Sequence, residues 1–178
     1  MIFSRFVRPL APALAALALS ASAAAAQGPG GTQAVLLGTF GDWGAYTTQT
    51  GKAKICYALS QPKERLPAGL NRDPGYLFVS FRPSENVRNE VAVVVGFPTR
   101  DGSEGQALVD ETAFTLVTKG QNAWVKNPAE EGKLVEAFVR GRGLVLKISS
   151  ARGNETRDRY SLSGFTAALD RAKKACES

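Results

Sequence analysis

The chain has 178 residues, with Lys+Arg 22 against Asp+Glu 16, a formal net charge of +6, two cysteines and no histidine. Without an imidazole there is no Ser-His-Asp triad and no Cys-His pair, and two cysteines cannot fill an all-cysteine zinc site, so most hydrolase mechanisms and structural zinc are excluded. The basic excess suits contact with anionic glycans, lipid headgroups or nucleic acid, and equally ordinary solubility.

Residues 1–26 read as an export signal. Arg5 and Arg8 supply the positive start, Leu10 to Ala21 is apolar, and Ala24-Ala25-Ala26 offers the small residues of a cleavage site before Gln27. The apolar run is shorter than the roughly 20 residues a bilayer span needs. Charges interrupt every later hydrophobic stretch, so no transmembrane segment is expected in the mature chain. No cysteine follows the cut, which argues against lipid attachment, and the expected location is the periplasm, the outer membrane or the medium.

Residues 27–33, "QGPGGTQ", form a flexible tether with too little apolar surface to pack. Residues 34–178 then have the size of one domain. Val35 to Leu37, Phe40 to Thr47 and Lys54 to Ser60 alternate like strands around a turn at Thr50-Gly51-Lys52. Residues 61–75 hold Pro62, Pro67, Gly69, Pro74 and Gly75, a density of breakers that predicts a long surface connection and excludes helix or central strand.

"YLFVSF" (76–81) and "EVAVVVGF" (90–97) are the most apolar strands and belong at the centre of the core. Short strands continue over 105–125. Asn127-Pro128-Ala129-Glu130 carries a cap, a proline for the first helical position and a glutamate for a capping box, with Leu134, Val135, Phe138 and Val139 at helical spacing and Gly141 as the stop. "GLVLKISS" and "ETRDRYSL" form a strand pair across "ARGN". Ser163 can cap a final helix whose Phe165, Ala168, Leu169, Ala172 and Cys176 share one face. Strands outnumber helices without alternating with them, which predicts a mainly β, antiparallel sandwich with two short helices, the C-terminal one packed on it.

Cys56 and Cys176 lie 120 positions apart in an exported chain and are most simply a disulfide. A serine-lysine site is the first catalytic alternative, because Ser60-Gln61-Pro62-Lys63 matches S-x-x-K and Ser84-Glu85-Asn86 resembles S-x-N. Pro62 opposes the helix that S-x-x-K requires, however, and Thr118-Lys119-Gly120 has the third motif in the wrong order. Carboxylates are the second alternative. Asp110-Glu111 and Glu130-Glu131 are adjacent in sequence and therefore diverge in direction, so neither pair is poised for shared acid-base work. No catalytic residue, metal ligand or cofactor is assigned.

The binding candidate is the basic hairpin. Arg140, Arg142, Lys147, Arg152, Arg157 and Arg159 crowd one segment, and Arg157, Arg159 and Ser161 share a strand face opposite Tyr160 and Leu162. The expected partner is an envelope component or host surface, an anionic glycan or lipid headgroup. A solvated face with Glu155 and Asp158 nearby is the bland reading. Nucleic acid is not expected, for want of interleaved exposed aromatics.

Three stretches, "FGDWGAYT…KICYALSQP", "YLFVSFRPSENVRNEV" and "SSARGNETRDRYSLSGFTAALDRAKKAC", together resemble the invasion-associated locus B family of proteobacterial envelope proteins. Asp42-Trp43 ahead of the cysteine strand carries the resemblance most specifically, with the closing pattern Arg152-Gly153, Tyr160-Ser161-Leu162, Gly164-Phe165, Ala168 and Cys176. It implies a signal peptide, an immunoglobulin-like β-sandwich and a link to host-cell entry or survival, with no known reaction. Many members place a further cysteine soon after the tryptophan, where this chain has Gly44, Ala45, Tyr46 and Thr47.

Overall fold

In the computed structural model the described residues form one antiparallel sheet of eleven strands, and the two helical patterns become helices. The structure describes residues 33–177 apart from Lys52. The export signal and, Gln33 excepted, the tether lie outside the described residues. The strands are β1 Val35–Phe40, β2 Trp43–Thr50, β3 Ala53–Ser60, β4 Glu64–Leu66, β5 Tyr76–Arg82, β6 Val87–Val94, β7 Glu104–Val109, β8 Thr112–Lys119, β9 Asn122–Val125, β10 Gly143–Ser149 and β11 Glu155–Ser161. The helices are α1 Glu131–Arg140 and α2 Phe165–Glu177.

Sheet order is β1-β2-β3-β5-β6-β9-β8-β7-β10-β11-β4. β4 follows β3 closely in the chain yet pairs with β11 at the far end of the order, so the sheet folds over on itself into a sandwich-like body. Bonds tie the overlapped parts together: the Lys63 amide donates to the Arg159 carbonyl at 2.7 Å, and the Arg65 guanidinium donates to the Val95 carbonyl at 2.6 Å. Each strand sends alternate side chains inward. On β10 these are Leu144, Leu146 and Ile148, and on β11 Thr156, Asp158 and Tyr160.

The sequence reading holds for most elements; the strand expected over Phe40 to Thr47 is interrupted by a turn at Gly41-Asp42, and three further places differ. The breaker-rich connection contains a strand after all, the three-residue β4. It is an edge strand, the one position that prolines on either side tolerate. A 3-10 turn over Pro128–Glu130 precedes α1, with Asn127 Oδ1 accepting from the Ala129 amide, so the helix begins at Glu131. Val139, placed on the apolar face of α1, is 47% exposed, because only the arc of Leu134, Val135 and Phe138 meets β6 and α2.

Helix α2 closes the core over β1, β2, β3 and β5. It buries Phe165, Ala168, Leu169, Ala172 and Ala175, and Phe165 meets Phe138 of α1 edge-on at 5.4 Å. Each large side chain so buried is worth about 1.5–3 kcal/mol. Alanines on both surfaces, Ala168 and Ala172 on α2 and Ala45 and Ala58 beneath, let helix and sheet approach closely. The Cys56–Cys176 disulfide then fastens the end of α2 to β3, with the Cα atoms 5.8 Å apart.

The start of α2 is locked to the β1–β2 turn. Gly164 has φ +87°, and a Cβ there would stand 1.9 Å from the Phe40 carbonyl oxygen. The Asp42 amide donates to the Ser163 carbonyl at 3.0 Å. Only glycine permits this crossing, and the crossing fixes where Asp42 and Trp43 sit.

Candidate functional site

The β10–β11 pairing decides which basic side chains meet. Lys147 lies directly opposite Arg157, and Gln106 and Thr115 of β7 and β8 continue the same row. The row floors an open, polar groove of about 360 Å³ that Glu104 and Glu155 also line. Glu104 is held by Lys126. Among the described residues Lys147 and Arg157 have no ion-pair partner, and like charges directly opposite on a sheet repel. The groove thus brings two cations face to face without an ion pair between them and a carboxylate, while Glu155, two residues from Arg157 on β11, lines the same groove.

The other four basic candidates are dispersed. Arg159, two residues along β11, pairs with Glu64 at 3.0 Å. Arg140 pairs with Glu136 on α1 at 3.7 Å, both largely exposed. Arg142 precedes β10 and Arg152 sits in the turn after it, so the seven-residue strand separates them by about 20 Å. The hairpin therefore offers one compact cationic pair, Lys147 with Arg157, flanked by Arg159, and not a single six-residue surface.

The second cluster surrounds the β1–β2 turn. The Asp42 carboxylate pairs with Lys63, and hydrogen bonds from Lys63 and Ser161 hold its pKa below the usual carboxylate value. Ser60 is buried, and its hydroxyl donates to the Asp42 carbonyl at 2.7 Å. The residues of the S-x-x-K match are thus both occupied structurally: Lys63 addresses Asp42 and not the Ser60 hydroxyl. Trp43, 1% exposed, donates from Nε1 to the Ser161 carbonyl at 2.9 Å and packs edge-on to Phe165 at 4.8 Å. It is a core residue that joins β2, β11 and α2.

The model of the invasion associated locus B (IalB) family matches residues 43–173. The chain belongs to this family. No curated protein and no solved structure matches it. The matched region runs from Trp43 through most of α2 and includes the cationic pair, Cys56 and the whole sheet after β1. IalB proteins are exported envelope proteins and are not a known enzyme family. Among the described residues no helix is long and apolar enough to cross a membrane, and no cluster of carboxylates or cysteines is arranged to hold a metal ion.

The carboxylate pairs do not converge in this IalB protein. Asp110 occupies a left-handed turn position with φ 50° and is exposed together with Glu111. Glu131 turns back to accept from the Val91 amide at 3.3 Å, and its burial raises its pKa. The Asp42–Trp43 turn is instead a joint between β1, β2, β11 and the start of α2. Trp43→Phe is expected to cost about 1–3 kcal/mol by losing the indole donor and leaving the Ser161 carbonyl without it, read from urea denaturation with the native fold retained.

Sequence reasoning missed the buried triad that anchors the 61–75 connection. Asp158 is 5% exposed and accepts from Arg65 Nε at 2.9 Å and Arg72 Nη1 at 3.0 Å. The signal was present in the alternation that puts Asp158 on the same face as Tyr160. A carboxylate on a core-facing position calls for a buried cationic partner.

Proposed function

We propose that this IalB protein is a non-catalytic envelope binding protein that holds an anionic group of its partner between Lys147 and Arg157. The observation that carries the reading is the pairing of two like charges across β10–β11, neither of which has an ion-pair partner among the described residues although Glu155 lines the same groove. Such a pair is unfavourable alone and becomes favourable when a sulfate, phosphate or carboxylate bridges it. Gln106 and Thr115 in the same row supply further polar contacts, while Arg159, two residues along β11, is paired with Glu64. Anionic glycans and lipid headgroups of the envelope or of a host surface present such groups, in keeping with a family named for its association with invasion.

The test is retention of the purified protein on a sulfated glycan matrix and on vesicles containing anionic phospholipid, each eluted with a salt gradient. Wild type is expected to bind and to elute with rising salt, and Lys147→Glu with Arg157→Glu is expected to abolish retention. Stability should change by no more than about 0.5 kcal/mol, since both side chains lie on the outer face. Equal, salt-sensitive retention of the double variant would remove Lys147 and Arg157 from the site.

A further inference from the structure

A second groove, on the other half of the sheet, has a different chemistry. Tyr46, Tyr57, Phe78 and Tyr76 form a continuous run of rings on the outer face of β2, β3 and β5, with successive centroids 5.4, 5.7 and 6.1 Å apart. The two end members, Tyr46 and Tyr76, line an open groove of about 580 Å³. Leu59 and Gly44 face each other across the β2–β3 ladder and form its floor. Gly44 leaves room for the Tyr46 ring, since a Cβ would stand 2.6 Å from it and the ring would have to shift. Gln61 and the Asp42–Lys63 pair form the rim.

We propose that this groove binds an uncharged oligosaccharide. The rim carries one carboxylate and one ammonium already paired with each other, so it has no net charge to attract an ion. The tyrosine faces suit the weakly positive C–H faces of sugar rings, since the π face is the negative part of the aromatic quadrupole. The polar rim separates a sugar from a proline-rich peptide. Asp42 keeps acceptor capacity beyond its bonds from Lys63 and Ser161, and Gln61 both donates and accepts. Sugar hydroxyls match both needs, whereas a polyproline backbone offers only acceptors. A groove of this volume accommodates several linked rings in place of one.

The experiment is a two-dimensional NMR titration of the purified protein with short oligosaccharides of glucose, of mannose and of N-acetylglucosamine up to millimolar concentration. Saturable shifts of the Gly41, Gly44 and Gln61 amides are expected with at least one series. Tyr46→Ala with Tyr76→Ala should weaken that binding by about tenfold or more, and Tyr46→Phe should retain it. Gln61→Ala, an exposed change that leaves the aromatic packing intact, should also weaken it by about threefold. The Lys147→Glu, Arg157→Glu protein should bind as wild type does, which separates this groove from the cationic one. The proposal is overturned if none of the three series gives saturable shifts at the groove, if the alanine variants bind unchanged, or if a polyproline peptide saturates the groove and the sugars do not.

Discussion

Replacing both cysteines, Cys56→Ala with Cys176→Ala, is expected to lower stability by roughly 4–5 kcal/mol, about half of what a domain of this size commonly has. The figure follows from the 120-residue separation of the bridged positions: freeing them returns to the unfolded chain the entropy that closing so long a loop removes. The corresponding fall in Tm is about 10–20 °C. The loss should begin locally. Cys176 is in the last turn of α2, half-buried, while Cys56 is fully buried on β3, so α2 is fastened at its far end by the bridge and at its start by the Gly164 crossing. Amide exchange should therefore accelerate first in the last two turns of α2, and urea unfolding with intact-mass measurement of native alkylation completes the test. A loss under about 1 kcal/mol would mean that Phe165, Ala168, Leu169 and Ala172 hold the helix by packing alone.

How far such features can be read from the sequence depends on whether a local period carries them. The face of α2 repeats at 3.6 residues and the inward set of β10 and β11 at two, so both were legible, and the register of Lys147 with Arg157 follows once the short turn between the strands is recognised. β4 has no such period: Glu64–Leu66 is extended because β11 offers it an edge, a cause that lies some ninety positions away in the chain. Val139 failed for the opposite reason. It satisfies the helical spacing, and the position of α1 over β6 leaves it uncovered. The tyrosine groove is written in no single segment, because Tyr46 and Tyr76 reach it from strands on either side of β3 and Gly44 matters only through the ring above it. The family resemblance rests most specifically on Asp42-Trp43, a turn whose tryptophan lies in the core while its aspartate stands at the rim of the groove.

Asp158→Ala is expected to cost about 3–5 kcal/mol, the second large effect, because it leaves two guanidinium groups where water reaches poorly. The Arg65 and Arg72 side chains are 20% and 6% exposed, and the carboxylate they share is 7% exposed. Both arginines also donate to carbonyls: Arg65 to Asp73 at 2.7 Å and Val95 at 2.6 Å, Arg72 to Pro67 at 3.3 Å. These bonds orient the guanidinium groups without neutralising them. Asp158 thus supplies the buried negative charge that lets the breaker-rich connection lie against β11 and the end of β6. Arg72→Leu should cost less than Asp158→Ala, since it leaves the carboxylate one cationic partner, and Asp158→Leu with Arg72→Leu should recover part of the loss by removing charges from both sides. Urea denaturation of the three variants checks the order, and amide exchange across residues 67–75 should rise most in Asp158→Ala. If Asp158→Ala instead costs under about 1 kcal/mol, the backbone carbonyls alone satisfy both arginines and the connection is held by hydrogen bonding, with charge playing no part.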